Sequence, residues 1–208
     1  MRRREQNMMM PRWVLVALTA LMLAIHSLAA PAETETYTLD SHRATPGFAI
    51  RLLGIWTVKG RFQQLTGSVS IDREAHGLEV DLLIDTASIT TVNDAEEGTL
   101  SRARDETLRS ADFFNVKRYP RMHFHSTSVR FEGERPVEVI GELTLIGVTR
   151  PVNLLLSRWD CTPLMAEGNT PCMGEATTTV RRSDFGMTFG RPAIGNEVHL
   201  TIGFAVPR

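Results

Sequence analysis

Outside the first 32 residues, the side chains able to do chemistry are few and scattered. The histidines there are His42, His76, His123, His125 and His199, and the only cysteines are Cys161 and Cys172. Asp40, Ser41 and His42 are the residue types of a hydrolytic triad. Three consecutive positions of an extended segment, however, cannot bring a base onto a nucleophile. No G-x-S-x-G elbow, H-E-x-x-H helix or phosphate-binding loop occurs. His123 and His125 share one face of a strand and could reach one metal, but spacing supplies no third ligand. The plainer reading is a solvent-facing pair behind Met122 and Phe124. No catalytic residue and no metal centre are assigned, and the chain is expected not to be an enzyme.

The two cysteines enclose ten residues, among them Pro163, Gly168, Asn169 and Pro171. In an oxidising compartment that pattern reads as a disulfide clasping a loop, contributing roughly 3 kcal/mol by the chain-entropy account. Two free thiols or half a metal site are the alternatives, and no CxxC or Cys-His cluster supports them.

A second polar group is more concentrated. Arg104, Asp105, Arg109, Ser110 and Asp112 surround a helix-compatible stretch, Thr99 to Arg109, that runs into the diaromatic Phe113-Phe114. Such a set either forms a polar rim at a cavity mouth or caps and ties down the helix, and the second is the simpler reading. A helix from about Ser101 would put Asp105 and Arg109 one turn apart as a surface pair. Asp184, in Arg182-Ser183-Asp184, is expected to cap a local turn.

The elements that must position these groups are strands. Tyr37 to Asp40 is a short first strand, and Phe48, Ile50 and Leu52 alternate with Ala49 and Arg51. Val58 to Asp72 reads as one long strand bent at Gly60 or Gly67. Leu78 to Asp85 turns Val80, Leu82 and Ile84 one way, with Leu83 the exception. Met122 to Arg130, Val137 to Leu145, Val152 to Trp159 and Met173 to Arg182 follow. Val198 to Val206 alternates without exception. About eight strands with one apolar face each close into a barrel or pack as a sandwich. The inward set is Phe48, Ile50, Phe62, Leu82, Ile84, Phe113, Phe114, Phe124, Leu143, Leu154, Phe185, Met187 and Phe204. A filled core and a ligand pocket have the same periodicity, so pattern leaves that choice open.

The N-terminus differs in kind. Arg2, Arg3, Arg4 and Arg12 precede an apolar run from Trp13 to Ile25, and Ser27 to Ala32 is rich in small residues. This reads as a secretory signal peptide over residues 1–32, cleaved after Ala32 or Ala29, with an uncleaved anchor as the alternative. Loss of that segment removes four arginines and Glu5, leaving a net charge of about −4. No basic surplus points to nucleic acid.

Several phrases in order resemble the YceI-like family. They are Tyr37 to Asp40 with His42, Gly60-Arg61-Phe62, Ala87-Ser88-Ile89, and Arg104-Asp105 followed by Leu108-Arg109-Ser110 and Asp112-Phe113-Phe114. Then come Tyr119-Pro120, Phe124 with Ser126-Thr127, and Gly141 to Leu145 with Gly147-Val148-Thr149 and Pro151-Val152. Arg182 to Met187 and Gly195 to Val198 complete the set. The resemblance implies a domain over residues 33–208, all-β, an eight-stranded antiparallel lipocalin-like barrel with a short helix and a lengthwise apolar tunnel. It implies a periplasmic carrier of a long apolar lipid, isoprenoid or quinone-like, that would bind along the inward set with Arg104, Asp105 and Arg109 as polar rim. No cofactor is expected beyond such a lipid. The rival expectation is a filled barrel that serves as soluble partner of a membrane cytochrome or envelope complex, and a homodimer is a further expected assembly. The chain departs from the family at Leu52 and Thr107, where histidine is frequent, and in a longer segment between Ile89 and Arg104.

Overall fold

The computed structural model describes residues 34–206, apart from 73–74, 92–98, 134 and 161–171. The strands are β1 (Thr34–Asp40), β2 (Ala44–Leu52), β3 (Trp56–Phe62), β4 (Leu65–Asp72), β5 (Gly77–Asp85) and β6 (Ile89–Thr90). After helix α1 (Thr99–Arg109) come β7 (Arg121–Glu132), β8 (Arg135–Leu145), β9 (Val148–Asp160), β10 (Cys172–Arg181) and β11 (Ile194–Val206). Short 3-10 turns occupy Thr86–Ser88 and Arg182–Phe185. The expected signal peptide and Cys161 lie outside the described residues.

All strands belong to one antiparallel sheet in the order β1-β4-β5-β7-β8-β9-β10-β11-β2-β3-β6. The eleven segments, against about eight expected, have a local cause. β1 pairs with β4 while β2 pairs with β3, and β4 pairs with β5 while β3 pairs with β6. Thus β1 and β2, β3 and β4, and β5 and β6 are each a long run interrupted by a kink. The pairing continues on both sides of each kink. With β11 hydrogen-bonded to β2, the sheet curls back towards its own beginning.

The kinks are stitched to one another. The Asp40 carboxylate accepts the His42 and Arg43 N–H groups, at 2.9 and 3.2 Å, which turns the chain after β1. The Ser41 hydroxyl accepts the Leu65 N–H at 2.9 Å, and the Ser88 hydroxyl accepts the Gln64 N–H at 3.1 Å. Side-chain hydroxyls take over ladder bonds where the strands break, as serine does in turns. The long strand read as bent at a glycine breaks instead at Gln63-Gln64. Gly60 and Gly67 stay inside β3 and β4, where they admit close neighbours. A Cβ at Gly60 would lie 2.4 Å from the Phe48 ring, and one at Gly67 would lie 2.1 Å from the Asp81 carbonyl oxygen.

The inner face carries the core. Val80, Leu82 and Ile84 of β5, Met122 and Phe124 of β7, and Leu143 and Leu145 of β8 are all buried, as period-2 alternation requires. Leu83 pairs across the ladder with His123 on the other face. On β11 the inward side chains Val198, Leu200, Ile202 and Phe204 are only half-buried, although the alternation there is perfect. They face empty space inside the sheet.

Candidate functional site

That space is a cavity of about 300 Å³. Its walls come from β2, β3, β5, β7 to β11, α1 and the diaromatic, and they are almost entirely aliphatic and aromatic. A smaller cavity of about 50 Å³ adjoins it and shares Leu82, Leu154, Ala176 and Ile202 with it. Four apolar side chains are therefore common to the walls of both voids. The larger volume is at the low end of the range typical of small-molecule pockets.

Every member of the inward set predicted from sequence lines the larger cavity except Phe185 and Phe204. Phe204 lines the smaller one, its ring tilted against that of Trp159 at 6.1 Å between centroids. Phe185 is 2% exposed and lines neither, because the 3-10 turn seats it in the packed core. Phe62 is the hub of the aromatic wall, 5.9 Å from Phe48 and 5.6 Å from Phe114, edge-on to the latter. Edge-to-face rings of this kind hold each other's orientation. Phe113 is buried against Phe189, at 5.5 Å. Leu52, Val58 and Leu108 also line the cavity, although none of them belongs to the inward set read from the sequence. Leu52 was visible in the β2 alternation, whereas Leu108 reaches the cavity only through the docking of α1.

The polar cluster separates into two kinds. Asp105 is buried and accepts the Thr91 N–H and hydroxyl, at 2.8 and 2.6 Å. Arg109 donates to the Ala87 and Ile89 carbonyls, at 2.8 and 2.7 Å. The expected surface pair of Asp105 with Arg109 is therefore not formed. Each side chain ties α1 to the β6 segment instead, since a short polar helix offers little apolar face to hold it. Arg104 points the other way. It lines the cavity and has no hydrogen bond or ion pair among the described residues. Thr107, exposed on α1, lines the cavity as well, so the cavity reaches the surface beside the helix. Leu52 and Thr107, the two departures at family histidine positions, are thus both cavity residues.

A second cation in the wall is differently placed. Arg182 is 2% exposed and donates from Nε, Nη1 and Nη2 to the carbonyls of Gly195, Met187 and Ile194, at 2.7, 3.0 and 3.0 Å. Burial, and then the charge of Arg191, pull its pKa below the ordinary arginine value. Three carbonyl dipoles satisfy the fork, which fixes the loop before β11 rather than offering a free charge. Asp184 does not cap the adjacent turn. Asn196 accepts the Ser183 N–H, at 3.1 Å, and the Asp184 carbonyl accepts from Arg150, at 3.0 Å.

On the outer face, His123 Nε2 and His125 Nδ1 both meet Asp81 Oδ2, at 2.8 and 3.3 Å. The pair read as simply solvent-facing is thus bridged by one carboxylate. The Asp40-Ser41-His42 triplet is spent on the first kink, as described above. Cys172 is buried at the start of β10.

A single antiparallel sheet curled around an apolar cavity, with a helix tethered at the opening, defines an all-β protein of the curled half-barrel class. Residues 37–206 match the YceI-like domain, and the chain belongs to the YceI-like family. It is 34% identical over 180 residues to a UPF0312 protein of Ectopseudomonas mendocina, covering 83% of this chain and 87% of that one. It is 34% identical over 179 residues to Protein YceI of Salmonella arizonae, covering 82% and 86%. Among solved structures, Burkholderia cenocepacia BcnA superposes with a TM-score of 0.63 at 18% identity, over 81% of this chain and 99% of that one. A domain from Saccharophagus degradans described as polyisoprenoid-binding gives 0.57 at 17% identity, over 85% and 100%. At these identities the two structures speak to the fold.

Proposed function

We propose that the protein is a non-enzymatic periplasmic carrier that sequesters a long apolar lipid, isoprenoid or quinone-like, inside the curled sheet. The observation that carries this reading is the wall of the larger cavity, apolar on every strand that contributes to it, with its polar side chains confined to Arg104, Thr107 and Arg182. Each methylene moved from water into such a wall contributes about 0.8 kcal/mol, so a long chain needs few polar contacts for affinity. The wall shared by the two cavities, with Ala176 as its smallest member, marks the path along which a longer chain would extend as a tunnel. The polyisoprenoid-binding description of the Saccharophagus degradans neighbour supports the same ligand class. Export by the N-terminal segment 1–32 and a Cys161–Cys172 disulfide belong to this reading.

The test is native mass spectrometry of the protein purified from the periplasm, with organic extraction of what it carries. A bound species in the prenyl-lipid mass range is the expected result. A variant that fills the cavity, Leu200→Trp, should fold with an unchanged melting temperature to within a few degrees and retain about tenfold less lipid. Wild-type protein that is ligand-free and takes up no added prenyl lipid would favour the soluble-partner role instead.

A further inference from the structure

The inner face of β3 does not end where the cavity ends. Phe62 and Val58 line the cavity, and Trp56, next in the same row, stands 58% exposed. Side chains two apart in a strand share a face. Trp56 also pairs across the ladder with Leu52, itself a cavity residue, and Leu52 pairs on its other side with Ile194. The apolar lining therefore runs out of the mouth onto the β2–β3 hairpin. Its turn adds Leu53 at 57% and Ile55 at 73% exposure, with Leu53 and Gly54 at positive φ. Phe189, 51% exposed, joins the same end. It rests on Phe113, and the loop that carries it is held to the hairpin through the Leu53 N–H, which donates to the Ala193 carbonyl at 2.7 Å.

Exposed leucine, isoleucine, tryptophan and phenylalanine gathered on one rim call for an occupant. The rim is a narrow turn and one loop, too small to supply the roughly 800 Å² per partner of a stable protein interface. It is flanked by the exposed cations Arg51, Lys59 and Arg191, with Arg51 donating to the Gly54 carbonyl at 3.4 Å. Two acids neighbour it: Glu197 stands across the ladder from Arg181, and the exposed Asp112 precedes Phe113. An apolar tip containing tryptophan and ringed by basic residues matches the boundary between acyl chains and anionic headgroups.

We propose that the hairpin tip Leu53 to Trp56, with Phe189, docks the protein on a phospholipid bilayer so that the cavity mouth opens onto the acyl region. The role as a loading surface rests on the carrier reading, whereas the docking itself does not. Lipid would then pass from bilayer to cavity along the Trp56–Val58–Phe62 row without crossing water.

The chain has three tryptophans, Trp13, Trp56 and Trp159. In a Trp13→Phe/Trp159→Phe variant, Trp56 alone reports. Vesicles of phosphatidylethanolamine and phosphatidylglycerol should shift its emission to the blue, and acyl chains carrying bromine should quench it. Adding Leu53→Ser and Ile55→Ser should cut vesicle partitioning about tenfold and remove the quenching. Unchanged Trp56 emission with vesicles present overturns the proposal, even where the N-terminal segment brings the protein to the membrane. A Trp56 already blue-shifted without vesicles, in a protein of twice the monomer mass, overturns it in favour of a second copy. Quenching in a protein whose organic extract holds no lipid sustains the docking and removes only the carrier role.

Discussion

The carboxylate of Asp105 accepts two hydrogen bonds from one residue, the N–H and the hydroxyl of Thr91, with both residues buried. This is the fastening that holds α1 at the cavity opening. Asp105→Ala leaves buried donors without an acceptor and should cost roughly 1–3 kcal/mol. The melting temperature should fall by about 2–10 °C, and amide exchange over residues 99–109 should accelerate. Thr91→Val in the Asp105→Ala background should add little, because the shared bond is already gone. Additive losses would show that the two residues act separately.

Gly60 faces Phe48 across the β2–β3 ladder, and a Cβ there would also come within 2.8 Å of the Thr90 carbonyl oxygen in β6. The ring has cavity space to swing into, but the backbone oxygen does not. Gly60→Ala is therefore expected to destabilise by about 1–3 kcal/mol in urea unfolding. Combining it with Phe48→Leu should restore only part of that loss. Full recovery would place the whole conflict with the ring.

The Asp81 carboxyl is raised by partial burial. The hydrogen bonds and charge of His123, and then of His125, outweigh that and hold it below its ordinary value. A folded value below the unfolded one gives stability that is present above the ordinary carboxyl range and is lost as pH falls through the folded value. Asp81→Asn should thus destabilise at pH 7, by less than about 1 kcal/mol since the cluster is solvent-exposed, and the difference from wild type should shrink at about pH 3. Denaturant midpoints at the two pH values measure this. A difference that is constant with pH would mean that the carboxylate charge contributes nothing.

Arg104 is a cation in an apolar wall with no partner among the described residues, and it should find one in the ligand. Arg104→Leu is expected to leave retention of a prenyl hydrocarbon unchanged. It should weaken retention of a prenyl phosphate or quinone about tenfold, as for one lost charge-assisted hydrogen bond. Competition read by native mass spectrometry separates the two. Equal loss for both ligands would make Arg104 a helix-positioning residue only.

Most strands and their inward faces are legible in the sequence alone. Alternation in β5, β7, β8 and β11 names the inward side chains, because a pleated strand has a period of two and one buried side. The sequence also carried the family, through phrases spread over nearly the whole domain. Alternation cannot distinguish a side chain packed on its neighbours from one facing a void, and only the fold decided that Phe185 packs in the core while Leu200 and Ile202 edge a cavity. The kinks at Ser41 and Gln63-Gln64 were hidden because their hydrogen bonds join residues 24 apart in sequence. Separations of 14 to 22 residues likewise concealed the roles of Asp105 and Arg109, which local spacing paired with each other and the fold gave to Thr91, Ala87 and Ile89. Long-range hydrogen bonds and empty volume are properties of the folded arrangement, and no pattern of nearby residues records them.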